Sequence, residues 1–145
     1  MTDNMKVTVI VERGPGKANY ACYALEPVGD TMLIGSGSTS REAMEDIRVT
    51  LQEAKDDATE CGKDFPDVEF DYRFDVGAFF DYYPIDVTAF AKYIDMNPSM
   101  LRRYVTALRQ PKQETIDRIK KGIQQISEDL GANLMVEHPV QTYVK

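Results

Sequence analysis

The sequence predicts an α+β protein in two modules, and three observations carry that prediction. Short β-branched or alternating segments dominate the first half of the 145 residues, and the hydrophobic period changes from about two to about 3.6 residues after Asp75. Charge divides the chain at nearly the same place: residues 1–83 hold 8 Lys and Arg against 17 Asp and Glu, a net of −9, whereas 84–145 hold 9 against 7, a net of +2. The expected order is β-β-β-α-β, one helix laid over a sheet, followed by an all-helical segment. Domain bounds of 1–76 and 77–135 follow, with 136–145 as a C-terminal tail.

The first strand is the β-branched run KVTVIVER from Lys6 to Arg13. Gly14, Pro15 and Gly16 turn the chain into NYACYALEP, a second strand. A third is expected over Thr31 to Ile34, with Gly35 to Ser38 as the punctuation after it. Thr39-Ser40-Arg41-Glu42 has capping-box spacing and opens a helix over 40–61 whose inward face is Ala43, Ile47, Leu51, Ala54 and Ala58, with Gly62 as its stop. Val68, Phe70, Tyr72 and Phe74 then alternate with Glu69, Asp71, Arg73 and Asp75, the pattern of a strand with one buried and one wet face.

A boundary is expected at 76–84. Asp86 caps a short helix that turns Val87, Phe90, Ala91 and Ile94 inward, and Asp95-Met96-Asn97 breaks it. Asn97 and Pro98 then form the N-cap and first-turn pair of a second helix, with Leu101, Tyr104 and Leu108 on one side and Ser99, Arg102, Arg103 and Thr106 on the other. A third helix follows Pro111 and carries Ile116, Ile119, Ile123, Ile126 and Leu130 at three- and four-residue steps, ending at Gly131. This stripe reads as core, with dimerisation through its short heptad run left open.

Composition describes an ordinary folded domain. The chain is 43% hydrophobic and 28% charged with a mean hydropathy of −0.39, and one of this length buries about 70% of its unfolded surface without metal or disulfide. No apolar run approaches the roughly 18 residues of a membrane span, and Met1 to Met5 lacks a signal pattern, so a cytoplasmic location away from membranes is expected. Cys22 and Cys61 form no C-x-x-C pair and read as buried thiols.

Two short helices separated by about three residues, the second exposing arginines and a hydroxyl, make the helix-turn-helix arrangement that lays its second helix into a major groove. Ala91 is small where the helices cross, and Asp95 stands at the turn position that often requires a left-handed backbone. Pro98, Ser99, Arg103 and Thr106 are the candidates for base edges and Asn97, Arg109 and Lys112 for phosphates, with Arg102 placed for either. Positions 98–125 hold seven basic residues against Glu114 and Asp117, a net of +5. The expected partner is a double-stranded operator bound by a homodimer or higher even oligomer, because one such head makes few phosphate contacts. The alternative is a plain three-helix bundle with a solvated basic face.

An enzymatic reading has less to stand on. The row Asp67, Glu69, Asp71 and Asp75 invites comparison with two-metal nucleases, but carboxylates on one strand cannot surround a metal pair. From its residues alone the row reads as a solvated strand face. His138, the only histidine, lies beside Pro139 near the C-terminus, away from any Ser or Cys set. Gly14-Pro15-Gly16-Lys17 lacks phosphate-loop spacing, and Ala18 stands where a hydroxyl is needed. No catalytic residue, metal or cofactor is expected; a metal-dependent nuclease is the enzymatic alternative.

The stretch DVTAFAKYIDMNPSMLRRYVTALRQPKQETIDRIKKGIQQI resembles the Cro/repressor-type helix-turn-helix, and with YRFDVGAFFDYYPI before it is similar to the C-terminal half of HicB-family antitoxins. VTVIVERGPGKANYACYALE and TSREAMEDIRVTLQEA are similar to the partial RNase H-like domain of that family, so the likeness spans roughly residues 5–135. Asp95 and Ala107 stand where the helix-turn-helix usually has Gly, and Pro27-Val28-Gly29 replaces a Pro-Gly-Cys. The resemblance implies an antitoxin that sequesters a small basic HicA-like ribonuclease toxin and represses its own operon, with Glu69, Asp71 and Asp75 as candidate toxin-facing residues. A solitary regulator, whose N-terminal domain senses something else or dimerises, is the alternative within the binding class.

Overall fold

Three valines at alternate positions, Val7, Val9 and Val11, put one face of β1 (Asn4–Arg13) wholly out of solvent and make it the centre of a four-stranded sheet. The structure, a computed structural model, describes residues 4–15 and 19–134. β1 pairs antiparallel with β2 (Tyr20–Ala24), which pairs antiparallel with β3 (Ile34–Gly37). On its other side β1 runs parallel to β4 (Asp67–Phe74), giving the order β3-β2-β1-β4. A parallel neighbour requires a crossover, and α1 (Ser40–Glu60) supplies it, closing one face of the sheet with Ala43, Met44 and Ile47. The architecture is α+β, as predicted.

The third strand lies three residues later than expected. Gly35 to Gly37, read as punctuation, are the strand itself, because only glycine allows α1 to sit so close. A Cβ on Gly35 would stand 2.5 Å from the Ile47 amide nitrogen, and one on Gly37 would stand 2.5 Å from the Glu42 Cβ. α1 begins as expected, with the Glu42 amide donating to Thr39 Oγ1 at 3.0 Å; the Glu42 carboxylate reaches back to the Ser38 amide at 2.8 Å. The buried-thiol reading holds for Cys22 and fails for Cys61, which is exposed at the C-cap of α1. Burial pushes the Cys22 thiol up to about 11, with Asp46 adding to the shift.

The segment after β4, expected as a boundary, is a helix, α2 (Val76–Tyr82). Asp75, read as the wet end of the strand, is its N-cap: Asp75 Oδ1 accepts from the Ala78 amide at 2.8 Å. α2 serves both cores, since Ala78 packs with the sheet cluster and Phe80 with Phe90, Ala91, Leu101 and Ile119. Asp81 on the same helix accepts from the amide and hydroxyl of the buried Ser40 at 2.9 and 2.6 Å, tying α2 to the start of α1.

Three further helices complete the described chain: α3 (Val87–Tyr93), α4 (Pro98–Val105) and α5 (Gln113–Asp129). Two positions expected in the core are exposed instead. Leu108 falls beyond the end of α4 and is 71% exposed, and Leu130 at the C-cap of α5 is 70% exposed. Of the isoleucine stripe only Ile119 is buried; Ile116, Ile123 and Ile126 are half-buried. Gly16, Lys17 and Ala18, His138 and the tail 136–145 lie outside the described residues. None of the described helices is long and apolar enough to cross a membrane.

Candidate nucleic-acid interface

α3 starts where Asp86 Oδ2 accepts from the Ala89 amide at 2.8 Å, and it buries Phe90 and Ala91. Ala91 is wholly buried where α3 meets α4. The chain then reverses over Ile94 to Asn97. Asp95 takes a φ of 56°, the left-handed conformation expected of it, and the Met96 amide returns to the Ala91 carbonyl at 2.8 Å. Asn97 Oδ1 accepts from the amides of Ser99 at 2.8 Å and Met100 at 3.4 Å, and Pro98 occupies the first turn without losing a hydrogen bond.

In α4 a fully buried Leu101 fixes which side faces inward, and with it which side faces out. Ser99, Arg102 and Arg103 are exposed and Pro98 is half-buried, while Arg109 and Lys112 are exposed just beyond the helix. Arg102 Nη1 lies 3.2 Å from Thr88 Oγ1, a contact that links α4 to the first turn of α3. Thr106 is the C-cap, and its hydroxyl donates to the Arg102 carbonyl at 2.8 Å. Asn97 and Thr106 thus already have hydrogen-bonding roles at the two ends of α4.

Sequence reasoning missed two supports of this surface. Arg118, counted only as part of the basic run, donates from Nη2 to the Ile94 carbonyl at 2.7 Å and to that of Asp95, closing the end of α3. Gly122, unremarked within α5, is buried against Ile94 and Phe90, and any Cβ there would overlap the Ile94 side chain. An isolated glycine inside the apolar-periodic pattern of α5 was the available signal. Ala107, where the resemblance led to glycine, has a φ of 60°.

Of the acidic row, Asp67, Glu69 and Asp71 lie elsewhere, on the edge strand β4, and Asp75 follows the strand as the N-cap of α2. Val68, Phe70 and Tyr72 pack toward the core, so Glu69 and Asp71 project from the sheet face opposite α1. Glu69 is exposed; Asp71 is half-buried and pairs with Arg73 at 2.9 Å. Asp75 differs from both, because its carboxylate also accepts from the Arg13 amide at 3.2 Å. Desolvation raises Asp75 above the ordinary carboxylate value, against the lowering effect of those two amide donors and the Arg13 charge. Among the described residues no three His, Cys, Asp or Glu side chains gather closely enough to hold a metal ion.

A groove of about 410 Å³ separates the end of β4 and α2 from α5, with Phe79, Tyr83, Ile116 and Ile123 among its walls. No family model matches the chain, and neither the curated proteins nor the solved structures contain a match to it.

Proposed function

We propose that the protein is a DNA-binding antitoxin that represses its own operon. The observation that carries this reading is the outward face of α4: Ser99, Arg102 and Arg103 are exposed together while Leu101 anchors the opposite side. A short helix held at a fixed angle by a preceding helix, with arginines and a hydroxyl facing out, suits the major groove, where Arg reads guanine through paired donors. Ser99 and Arg103 then meet base edges, and Arg109 and Lys112 neutralise phosphates. Asn97 and Thr106 contribute by holding the helix ends.

A single head with this charge makes few phosphate contacts, so binding requires two. The half-buried Ile116, Ile123 and Ile126 and the exposed Leu130 leave apolar surface on α5 for a second copy. The sheet module, with most of the acidic residues, steers a small basic toxin and covers its RNA-binding surface, with Glu69 and Asp71 facing it. No chemistry from this chain is needed for inhibition by occlusion.

Titration of duplexes from the chain's own upstream region against scrambled duplexes tests the first half of the proposal. Selective binding that weakens steeply with salt is expected, and equal binding of both duplexes contradicts it. Co-expression with the product of an adjacent small basic gene tests the second half. A stable complex that suppresses RNA cleavage is expected, and an adjacent gene product that neither binds nor is inhibited contradicts the antitoxin role.

A further inference from the structure

The last carbonyls of a helix have no partner within it and take one from whatever lies nearby. In α4 three of the four are satisfied locally. The Arg102 carbonyl accepts from the Thr106 amide at 2.9 Å, that of Arg103 from the Leu108 amide at 3.0 Å, and that of Tyr104 from the Ala107 amide at 3.1 Å. The fourth, Val105, accepts from Arg13 Nη1 at 3.3 Å, across 92 residues of sequence. Arg13 is the last residue of β1, so the end of the sheet's central strand closes the end of α4.

Other groups pack around that arm, whose Nε is buried without a hydrogen-bond partner among the described residues. The Arg13 guanidinium lies over the Tyr20 ring, 5.6 Å from its centroid, and the Arg13 amide is bound by Asp75. Gly77 in α2 lies beneath it, where a Cβ would stand 2.8 Å from the Val105 oxygen and 2.9 Å from the Arg13 Cβ. A cation at a helix C-terminus is favoured by the helix dipole as well as by the hydrogen bond.

We propose that Arg13 is a positioning residue for DNA recognition: it clamps the C-terminal end of α4 to the sheet, so that α4 meets DNA at an angle set by β1. The consequence for DNA rests on the function proposed above; the clamp itself does not. A partner that moves the end of β1 therefore changes the presentation of α4 without touching it.

The test uses the full chain with Arg13→Met, which keeps the aliphatic stem and removes the donors, and Arg13→Lys, which keeps charge and a donor. Backbone ¹⁵N relaxation is read for residues 98–106 and for β1 and β2. The wild-type protein is expected to tumble as one body, Arg13→Met to give residues 98–106 a shorter correlation time than the strands, and Arg13→Lys to restore the shared value. Operator affinity should fall about tenfold in Arg13→Met, with base preference retained, and recover in Arg13→Lys. Gly77→Ala disturbs the same joint from the other side and should loosen α4 likewise if Arg13→Met fails to fold. A shared correlation time in a folded Arg13→Met, or in Gly77→Ala where Arg13→Met does not fold, overturns the clamp. Loosening with unchanged operator affinity overturns the positioning role. Failure of the wild-type chain to select any duplex removes the DNA reading alone, because the relaxation data judge the clamp without DNA.

Discussion

Arg118 Nη2 stands 2.7 Å from the carbonyl oxygen of Ile94, so a cation from α5 closes the C-terminal end of α3 where the helix dipole is negative. The turn that follows is held on its inner side as well, by the Met96 amide on the Ala91 carbonyl. Between these restraints Asp95 keeps a left-handed backbone, and Ala107 does the same after α4.

That conformation costs a residue with a Cβ about 1–2 kcal/mol, less for Asp than for Ala, whereas glycine adds about 0.5–1 kcal/mol of unfolded-state entropy to lose. Relief of strain exceeds the entropy at Ala107 and roughly balances it at Asp95. Ala107→Gly is therefore expected to raise stability by about 0.5–1 kcal/mol and Asp95→Gly to change it by less than about 0.5 kcal/mol. Urea unfolding midpoints check this; destabilisation by Ala107→Gly contradicts it.

Gly35→Ala should be among the most damaging single changes in the sheet module. The added methyl meets the Ile47 amide nitrogen and the Ala43 carbonyl, both backbone atoms of α1 that cannot turn aside. Overpacking of this kind costs about 1–3 kcal/mol, and the rigid neighbours place it at the upper end. Denaturant titration of Gly35→Ala against Gly62→Ala gives the comparison, because Gly62 has open space around it and only its φ of 68° to lose. A Gly35→Ala protein as stable as the wild type would mean that α1 does not sit this close.

These glycines also mark where sequence reading stops. β1 was legible because alternate valines leave one choice of buried face, and α1 because Thr39 and Glu42 have capping spacing ahead of a periodic apolar face. β3 was not, since two of its four residues are glycines whose role depends on the distance to α1, a tertiary fact. α2 was missed because Asp75 fits two patterns, the wet end of a strand and the cap of a helix, and the strand was the longer signal. In the candidate interface Asn97, Pro98 and the left-handed Asp95 were readable as local backbone chemistry. Arg118 and Arg13 were not, because each serves a carbonyl far away in the chain.

Asp75 gives a pH prediction with a definite sign. Its folded-state value is raised, so the folded protein holds this proton more tightly than the unfolded chain does, and the site's contribution to stability declines as pH rises. The penalty is fully present above the raised folded value and disappears as pH falls below the ordinary value of 3.8. Asp75→Asn removes the titration and keeps a capping oxygen. Stability of the wild type relative to Asp75→Asn should therefore improve on acidification through that window, measured as the difference in urea midpoints. A difference that stays constant or widens against the wild type is the contrary result.

The central claim is that the exposed face of α4 reads base pairs, and paired substitutions of Arg103 and Lys112 address it most directly. Anisotropy titrations of the operator duplex and its single-base variants, repeated over a range of salt, are the measurement. Arg103→Ala is expected to cost about 1–3 kcal/mol of operator affinity and to relax preference at one base pair, whereas Lys112→Ala should weaken all duplexes alike and reduce the salt slope by about one. An Arg103→Ala protein that binds its operator with unchanged affinity and unchanged preference would contradict the account.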